Sequence, residues 1–271
     1  MQKVSKNVYV ETGFRGCNVG FVVTNDGVVM IDTPHAPEDA AAWREEVSGF
    51  GPVRYLINTE PHGDHFTGNC FFSGIIVAHE GTRDAILDIS SAPRELVRLP
   101  PGCSLPEDFS FRAPDITFTS KVTLYLGDHT FQLINHPGHT PYQVTVYIPE
   151  ERVAFTSDNI FCRVQPFLRQ ALPYEWLDSL KALQKLDVDV LVPGHGDVCD
   201  KGYIPEMSAI ISDWINAVDS AIKNGMSLEK AQDMISFLDR YPMEAGAESM
   251  AQEVQRMNVR RLYEVLLDSE R

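Results

Sequence analysis

Four histidines and one aspartate of this 271-residue sequence fall at the ends of predicted strands, in short segments that also contain glycine or aspartate. The histidines are half of the eight in the chain. The five residues are His62, His65, His139, Asp158 and His195. Imidazole nitrogens and carboxylate oxygens held on loops by a rigid sheet suit a hydrolytic metal site, because metal coordination requires a closely fixed ligand geometry. The pattern therefore predicts a metal site that carries out hydrolysis.

Runs of β-branched and aromatic residues precede these segments and predict the strands that must position them. The runs are KNVYVET, NVGFVVTN, GVVMIDT, VRYLINT, GIIVAH, ITFTSKVTLYLG, HTFQLINH, QVTVYIP, RVAFTSD and VDVLVPGHG, the last of which includes a strand and the loop after it. Asn25-Asp26-Gly27 between the second and third runs is a strong hairpin signal. Helices are predicted over PEDAAAWREEVSG, GTRDAILD and PYEWLDSLKALQKLD. The chain thus reads as two halves, each with strands first and a helix at its end.

Beyond Gly202 the pattern becomes helical only. Apolar residues from Ile204 to Ile222 line one face of a long helix, Ser227 is the predicted N-cap of a shorter one, and Val254 to Leu266 mark a third. We therefore divide the chain into a domain of residues 1–200 and a helical extension of residues 201–271. The extension either packs on the domain or forms a homodimer contact.

One long stretch, residues 90–114, is irregular and contains five prolines. Long loops in compact domains are often lids or binding loops, although a passive surface loop fits the composition equally well. The sequence leaves both interpretations open.

The overall composition limits the classes of molecule that the protein is expected to bind. The chain has 38 acidic and 23 basic residues and a formal charge of −15, which disfavours nucleic acids and anionic membranes. Its five scattered cysteines lack CxxC spacing, and the sequence has neither an apolar leader nor a run long enough to span a membrane. We expect a cytoplasmic protein that acts on a small molecule.

The order of the motifs adds a more specific indication. T-x-x-H-x-D-H at Thr59–His65, PGHT about seventy residues later, an aspartate after F-T-x, and PGHG follow one another. From Val8 to Gly196 this pattern resembles the metallo-β-lactamase-fold hydrolase superfamily. The resemblance implies an α/β fold, an αββα sandwich of two mixed β-sheets flanked by helices, here followed by the C-terminal helical extension.

The resemblance also implies a site with two divalent metal ions per chain, zinc being the first choice and manganese or iron the alternatives. The implied ligands are Glu60, His62 and His139 for the first metal, Asp64, His65 and His195 for the second, and Asp158 for both. A metal-bound hydroxide would attack a small ester, lactone, amide or thioester. We assign Asp64 the catalytic role of passing a proton to the leaving group, with Asp158 as the other candidate.

Glu60 departs from the family pattern, which most often has histidine at this position. Either Glu60 points outward and the first metal is weakly held or absent, or its carboxylate is a ligand. An added oxygen ligand shifts metal preference from zinc toward manganese or iron. This supports an alternative function, an iron-dependent, oxygenase-like redox enzyme on the same fold. A binding protein with a vestigial site is the third hypothesis.

Several further residues have predicted roles. Tyr142, Arg163 and Tyr174 are candidate substrate contacts, and Tyr142 and Gln143 stand where the family commonly has Gly-Ser. Asp32 resembles a position that supports the metal loop by hydrogen bonding. The remaining histidines are expected to be structural, with His136 able to support His139; they are His35, His79, His129 and His136.

Overall fold

Two mixed β-sheets lie face to face in the computed structural model, which describes residues 1–91 and 98–269. The first sheet has seven strands in chain order: β1 (Gln2–Lys3), β2 (Val8–Glu11), β3 (Val19–Thr24), β4 (Gly27–Ile31), β5 (Val53–Asn58), β6 (Ile75–His79) and β7 (Ile116–Phe118). Strands β1 to β4 pair antiparallel, and β4 to β7 pair parallel.

The second sheet has five strands and also follows chain order: β8 (Lys121–Leu126), β9 (His129–Asn135), β10 (Val144–Ile148), β11 (Val153–Cys162) and β12 (Val190–Gly196). Strands β8 to β11 are antiparallel, and β12 pairs parallel with β11. The predicted run ITFTSKVTLYLG is therefore two strands, because Phe118 pairs with His79 in the first sheet and Lys121 pairs with Ile134 in the second.

Helices flank the sheets, as expected for the αββα class. They are α1 (Pro37–Ser48), α2 (Gly63–Phe66), α3 (Glu80–Ser91), α4 (Pro173–Leu183), α5 (Ile204–Lys223), α6 (Leu228–Met234) and α7 (Ala251–Ser269). The predicted cap of the short C-terminal helix is confirmed, because the Ser227 hydroxyl accepts a hydrogen bond from Lys230 N at 3.3 Å.

Within the described residues, three buried apolar clusters hold these layers together. One fills the space between the sheets, where Ile31 and Ile57 of the first sheet belong to the same cluster as Leu133 and Val146 of the second. Another lies on the outer face of the first sheet, where Trp43 of α1 is fully buried. Because these strands are covered on both faces, they read in the sequence as nearly continuous apolar runs.

The third apolar cluster joins the predicted domain to the helical extension. Trp176 of α4 and Ile160 of β11 share it with Trp214 of α5 and Leu262 of α7. The sequence on either side of residue 200 thus contributes to one buried core. A homodimer contact through these helices stays a prediction.

The structure describes the proline-rich stretch only in part. Residues 92–97 of the predicted loop, and residues 270–271 of the predicted extension, lie outside the described residues. Residues 98–114 form turns and irregular backbone, as expected. Of the helices in the described ranges, none combines the length and apolar character needed to cross a membrane.

Candidate metal centre

One edge of the sandwich gathers the predicted ligands from both sheets. Glu60 follows β5, and the chain then turns into α2, which contains His65. His139 lies in the connection between β9 and β10. Gly63 starts α2, and a Cβ atom there would meet its nearest neighbours at 3.5 Å and 3.8 Å, so this turn does not require glycine.

Two of the predicted ligands lie inside strands rather than after them. Asp158 is within β11, where the pairing with β12 shifts register around Ser157, whose φ is 48°. His195 is within β12 and pairs with Phe161. The expectation of strand-end loops was wrong for both residues because the two strands resume their parallel pairing after the irregularity.

A first cluster of polar atoms forms around Glu60. His62 Nδ1 lies 2.8 Å from Glu60 Oε1, and His139 Nε2 lies 3.6 Å from Glu60 Oε2. The two facing ring nitrogens, His62 Nδ1 and His139 Nε2, are 3.1 Å apart. Asp158 Oδ2 completes the cluster at 3.5 Å from His139 Nε2. These four residues have donor atoms close enough to share one cation.

A second cluster lies on the other side of Asp158. His195 Nε2 is 3.3 Å from Asp64 Oδ2 and 3.4 Å from Asp158 Oδ2. His65 Nε2 is 3.2 Å from Asp158 Oδ1 and 3.9 Å from Asp64 Oδ2. Asp64, His65 and His195 are again close enough to share a cation. Asp158 contacts members of both clusters, so its two oxygens lie where a bridging carboxylate would.

Glu60 is fully buried, and the interpretation of it as an outward-facing loop carboxylate is wrong. With its amide nitrogen toward Glu60, Gln143 donates to Glu60 Oε2 at 3.2 Å and accepts from Ser157 Oγ and Asp158 N, both at 2.8 Å. Gln143, fully buried, therefore packs between two candidate ligands. A buried carboxylate needs compensating partners, and this cluster supplies them.

The outward ring nitrogen of each histidine meets an oxygen acceptor. The pairs are His62 Nε2 with Gln170 Oε1 at 3.0 Å, His65 Nδ1 with Asp32 Oδ2 at 2.9 Å, His139 Nδ1 with Phe167 O at 2.7 Å, and His195 Nδ1 with Glu244 Oε2 at 2.8 Å. Carbonyl and carboxylate oxygens only accept hydrogen bonds. The outward nitrogen of each histidine ring therefore carries the hydrogen. The inward nitrogens of the neutral rings then present lone pairs to the centre, as metal ligands must.

The centre also contains buried polar atoms without a well-formed hydrogen bond. Among the described residues these include His65 Nε2 and Asp158 Oδ1, which lie 3.2 Å from each other. A Cβ at Gly194 would lie 1.8 Å from Asp158 Oδ1, so only glycine lets β12 approach this carboxylate. Unpaired buried polar groups are costly, and a shared cation would satisfy both atoms. The donor set therefore fits divalent metals.

Burial and neighbouring charges shift the pKa values of these groups. Burial by itself lowers the pKa of His62, but the carboxylates of Glu60, Asp64 and Asp158 together outweigh burial and raise that pKa to about 9. Burial raises the pKa of Asp158, yet His195 and His65 hold it well below its usual range. Burial lowers the pKa of His139. Protons therefore compete with cations for His62, and binding at this residue should strengthen as pH rises.

The predicted supporting role of Asp32 is confirmed by its contacts. Its carboxylate accepts from Thr59 N at 2.8 Å and from the Thr59 hydroxyl at 2.5 Å, in addition to His65 Nδ1. Asp32 itself has a φ of 55°, and it is buried. It thus fixes both the start of the ligand loop and the ring of His65.

The segment of residues 163–172 carries the acceptors for His62 and His139, and α7 holds it in place. Asn258 accepts from Leu168 N at 2.8 Å and donates to Pro166 O at 2.9 Å. Arg261 donates to Ala171 O at 3.0 Å. The helical extension therefore reaches the first cluster through this segment.

Sequence reasoning missed Glu244, Gln170 and the Phe167 carbonyl. None carries a local motif, and each comes from a segment distant in sequence from the histidine it contacts. Gln143 was noted only as a departure from the family pattern. Contacts of this kind depend on tertiary structure, which spacing does not encode.

The predicted substrate residues lie outside the two clusters. Tyr142 is partly exposed and stacks on His79 with ring centroids 5.2 Å apart. Arg163 is exposed and pairs with Asp197 at 3.3 Å, while Tyr174 is exposed at the start of α4. Their roles in substrate binding stay predictions.

The other histidines make structural contacts. His35 Nε2 lies 2.8 Å from Arg98 O, and His79 Nε2 lies 2.8 Å from Thr119 O. His129 contacts Asp128 and Glu151, both at 3.0 Å.

His136 Nδ1 lies 2.9 Å from Thr145 Oγ1. Its backbone carbonyl accepts from Asn159 Nδ2, and Asn159 Oδ1 accepts from His139 N, so a chain of hydrogen bonds through Asn159 links His136 to His139.

Residues 12–195 match the family model of the metallo-beta-lactamase superfamily. A protein of Elizabethkingia meningoseptica named metallo-beta-lactamase type 2 is 25% identical over 236 residues, covering 79% of this chain and 85% of the relative.

Solved structures share the fold. A metallo-beta-lactamase from Pontibacter korlensis aligns with a TM-score of 0.64 at 20% identity, covering 78% of this chain and 97% of the other. A sec-alkylsulfatase from Pseudomonas sp. aligns with a TM-score of 0.74 at 16% identity, covering 98% of this chain and 50% of the other.

Proposed function

We propose a two-metal hydrolytic site for this chain, which belongs to the metallo-beta-lactamase superfamily and is a metal-dependent hydrolase. The main observation in support of this proposal is that Asp158 contacts both clusters of candidate ligands. Its Oδ1 faces His65, and its Oδ2 faces both His139 and His195. An aspartate has two oxygens and can serve two cations at once, which one imidazole nitrogen cannot do.

The residues that would hold the metals follow from the clusters. Glu60, His62, His139 and Asp158 would hold one, and Asp64, His65, His195 and Asp158 the other. When bound, two divalent cations supply an activated water at neutral pH and polarise the oxygen of the attacked bond. We take zinc as the first choice, with manganese and iron as alternatives because Glu60 adds an oxygen ligand.

The protein side chains provide orientation and proton transfer. Oxygen acceptors fix the ring orientation of every candidate histidine ligand, so the site is preorganised. Asp64 has a partly exposed side chain, whereas Asp158 is buried. Asp64 is therefore the better placed of the two to pass a proton to a leaving group that arrives from solvent.

We propose a small ester, lactone, amide or thioester as the substrate. The formal charge of −15 supports a small molecule over a nucleic acid. The relative from Elizabethkingia is named a beta-lactamase, so a cyclic amide belongs among the compounds to be tested. The fold alone does not select among these compounds, because one fold hosts many chemistries.

The competing function is an iron-dependent redox reaction. The observation that favours it is the full burial of Glu60 in the first cluster, because carboxylates suit iron and manganese better than zinc. An iron-containing, coloured protein that consumes oxygen and hydrolyses none of the compounds would support this alternative.

The test combines elemental analysis of protein purified without added metal with a panel of esters, lactones, amides and thioesters. We expect two metals per chain and hydrolysis of at least one class. Asp64→Asn should weaken the second metal, because Asp64 is one of its proposed ligands, and at saturating metal its turnover should still fall roughly 100-fold, in the range typical of acid–base residues. Unchanged turnover in this variant would contradict the role of Asp64.

A further inference from the structure

The carboxylate of Glu244 meets the metal centre from outside the part of the chain that matches the family. The matched region ends at residue 195, and Glu244 lies between α6 and α7 in the helical extension. Glu244 Oε2 accepts from His195 Nδ1 at 2.8 Å. Its other oxygen, Oε1, accepts from Gly196 N at 3.2 Å. One side chain thus binds both the ring of a candidate ligand and the backbone beside it.

This contact sets both the tautomer and the orientation of His195. Because a carboxylate only accepts, it keeps the hydrogen on Nδ1 and leaves the Nε2 lone pair facing Asp64 and Asp158. The ring also stacks on Phe161, with centroids 5.2 Å apart and planes 7° from parallel. Stacking fixes the ring plane but allows a half-turn flip about the Cβ–Cγ bond, and the Glu244 contact selects one of the two flipped states.

The segment that carries Glu244 is anchored on both sides. Pro242 O accepts from Gln165 N at 2.8 Å, and Glu244 O accepts from Ala247 N at 3.0 Å. Tyr241 is buried in the cluster that joins the extension to the second sheet. The carboxylate is therefore held at His195 by the fold of the extension.

We propose that Glu244 is a positioning residue of the metal centre, supplied by the helical extension, which orients His195 toward the second metal. The inference rests on the proposed function, since it presumes that His195 binds a metal. It assigns the extension a direct part in the site. Loss of a hydrogen-bonding partner of a ligand typically weakens metal binding by about 10–100-fold.

The experiment measures the affinity of both metals by competition with a chelator, together with the visible spectrum of the cobalt(II)-substituted protein. In Glu244→Ala we expect one of the two dissociation constants to rise about 10–100-fold, with a changed cobalt spectrum. Glu244→Gln retains one acceptor oxygen for His195, so it should restore part of the affinity. The matched control is Glu248→Ala, because Glu248 accepts from Gly246 N at 2.9 Å in the same segment.

The outcomes separate this inference from the proposed function. If the wild type binds two metals and both Glu244 variants bind them with unchanged affinity and spectrum, the positioning role is wrong and the proposed function stands. If the wild type binds no second metal, both are wrong. Should Glu244→Ala fail to fold, the comparison of Glu244→Gln with Glu248→Ala decides.

Discussion

Glu60 is the residue at which this chain departs most clearly from the family pattern, and its surroundings explain how a carboxylate is accommodated. It is fully buried, with His62 Nδ1 at 2.8 Å and the Gln143 amide at 3.2 Å. Removing its charge while keeping its shape should therefore weaken the first metal. Glu60 Oε1 also lies 3.4 Å from His65 Nε2, but Asp64 and Asp158 remain beside His65 in such a variant, so the second metal should stay bound.

For Glu60→Gln we expect a fall from two metals per chain to about one after dialysis, since the dissociation constant of the first metal should rise by roughly 100-fold or more. Elemental analysis of the dialysed protein checks this result. Glu45→Gln, a change of an exposed carboxylate on α1, is the control and should retain two metals. Two tightly held metals in Glu60→Gln would show that Glu60 is not a ligand.

Some features at the residue scale could be predicted from the sequence, and others could not. The candidate ligands form an ordered motif, so types and spacing were enough to select them. The acceptors that orient them, such as Glu244 and the Phe167 carbonyl, come from segments with no motif of their own. Their positions depend on how the helical extension and its neighbouring segment fold, which local pattern does not specify.

His136 should make stability depend on pH below neutrality. Burial lowers its pKa to about 4, so the unfolded chain binds a proton that the folded chain does not. Stability is then fully present above the unfolded pKa of about 6.5 and falls as pH drops toward 4, with a limiting slope of about 1.4 kcal/mol per pH unit. Urea unfolding of His136→Asn should show a smaller slope in this range than the wild type. Equal slopes would contradict the assignment.

At the scale of elements, the connection at residues 163–172 links the helical extension to the first cluster. Asn258 of α7 forms hydrogen bonds with Leu168 N and Pro166 O. Phe167 lies between these two residues in the chain, and its carbonyl accepts a hydrogen bond from His139 Nδ1. Asn258→Ala should cost about 1–3 kcal/mol in unfolding free energy, because it leaves buried backbone groups without partners. It should also weaken the first metal more than the second.

Urea unfolding and metal titration of Asn258→Ala test this link. Arg256→Ala is the control, because Arg256 is on the same helix and forms an exposed ion pair with Asp233. An Asn258→Ala protein with wild-type metal affinities would show that the connection keeps its shape without this side chain.

The strands were largely predictable because buried runs and turn residues mark them in the sequence. Two features of the strands could not be predicted from the sequence. The chain passes from one sheet to the other between Phe118 and Lys121 without a break in its β-type pattern. Asp158 lies within β11 because β11 and β12 resume their pairing after the register shift around Ser157. The sequence of one strand does not show with which residues it pairs.

At the scale of the whole molecule, the helical extension shares a buried apolar cluster with the first 200 residues. Trp176 and Leu180 of α4 are fully buried in the cluster that they share with α5 and α7. A chain ending at residue 200 would expose this surface, and each large apolar side chain contributes about 1.5–3 kcal/mol when buried.

We therefore expect a protein truncated after residue 200 to lack cooperative thermal unfolding and to aggregate, while the full chain unfolds cooperatively. Circular dichroism and light scattering measure both properties. A truncated chain that unfolds cooperatively at the wild-type temperature would show that the first 200 residues fold independently.

The proposed function depends on a two-metal centre that Asp158 bridges and to which Glu60 contributes a ligand. Anomalous diffraction from crystals of the metal-loaded protein tests it most directly. We expect two anomalous peaks, one contacted by Glu60, His62 and His139 and the other by Asp64, His65 and His195, with Asp158 between them. A single peak, or a first metal that Glu60 does not contact, would contradict it.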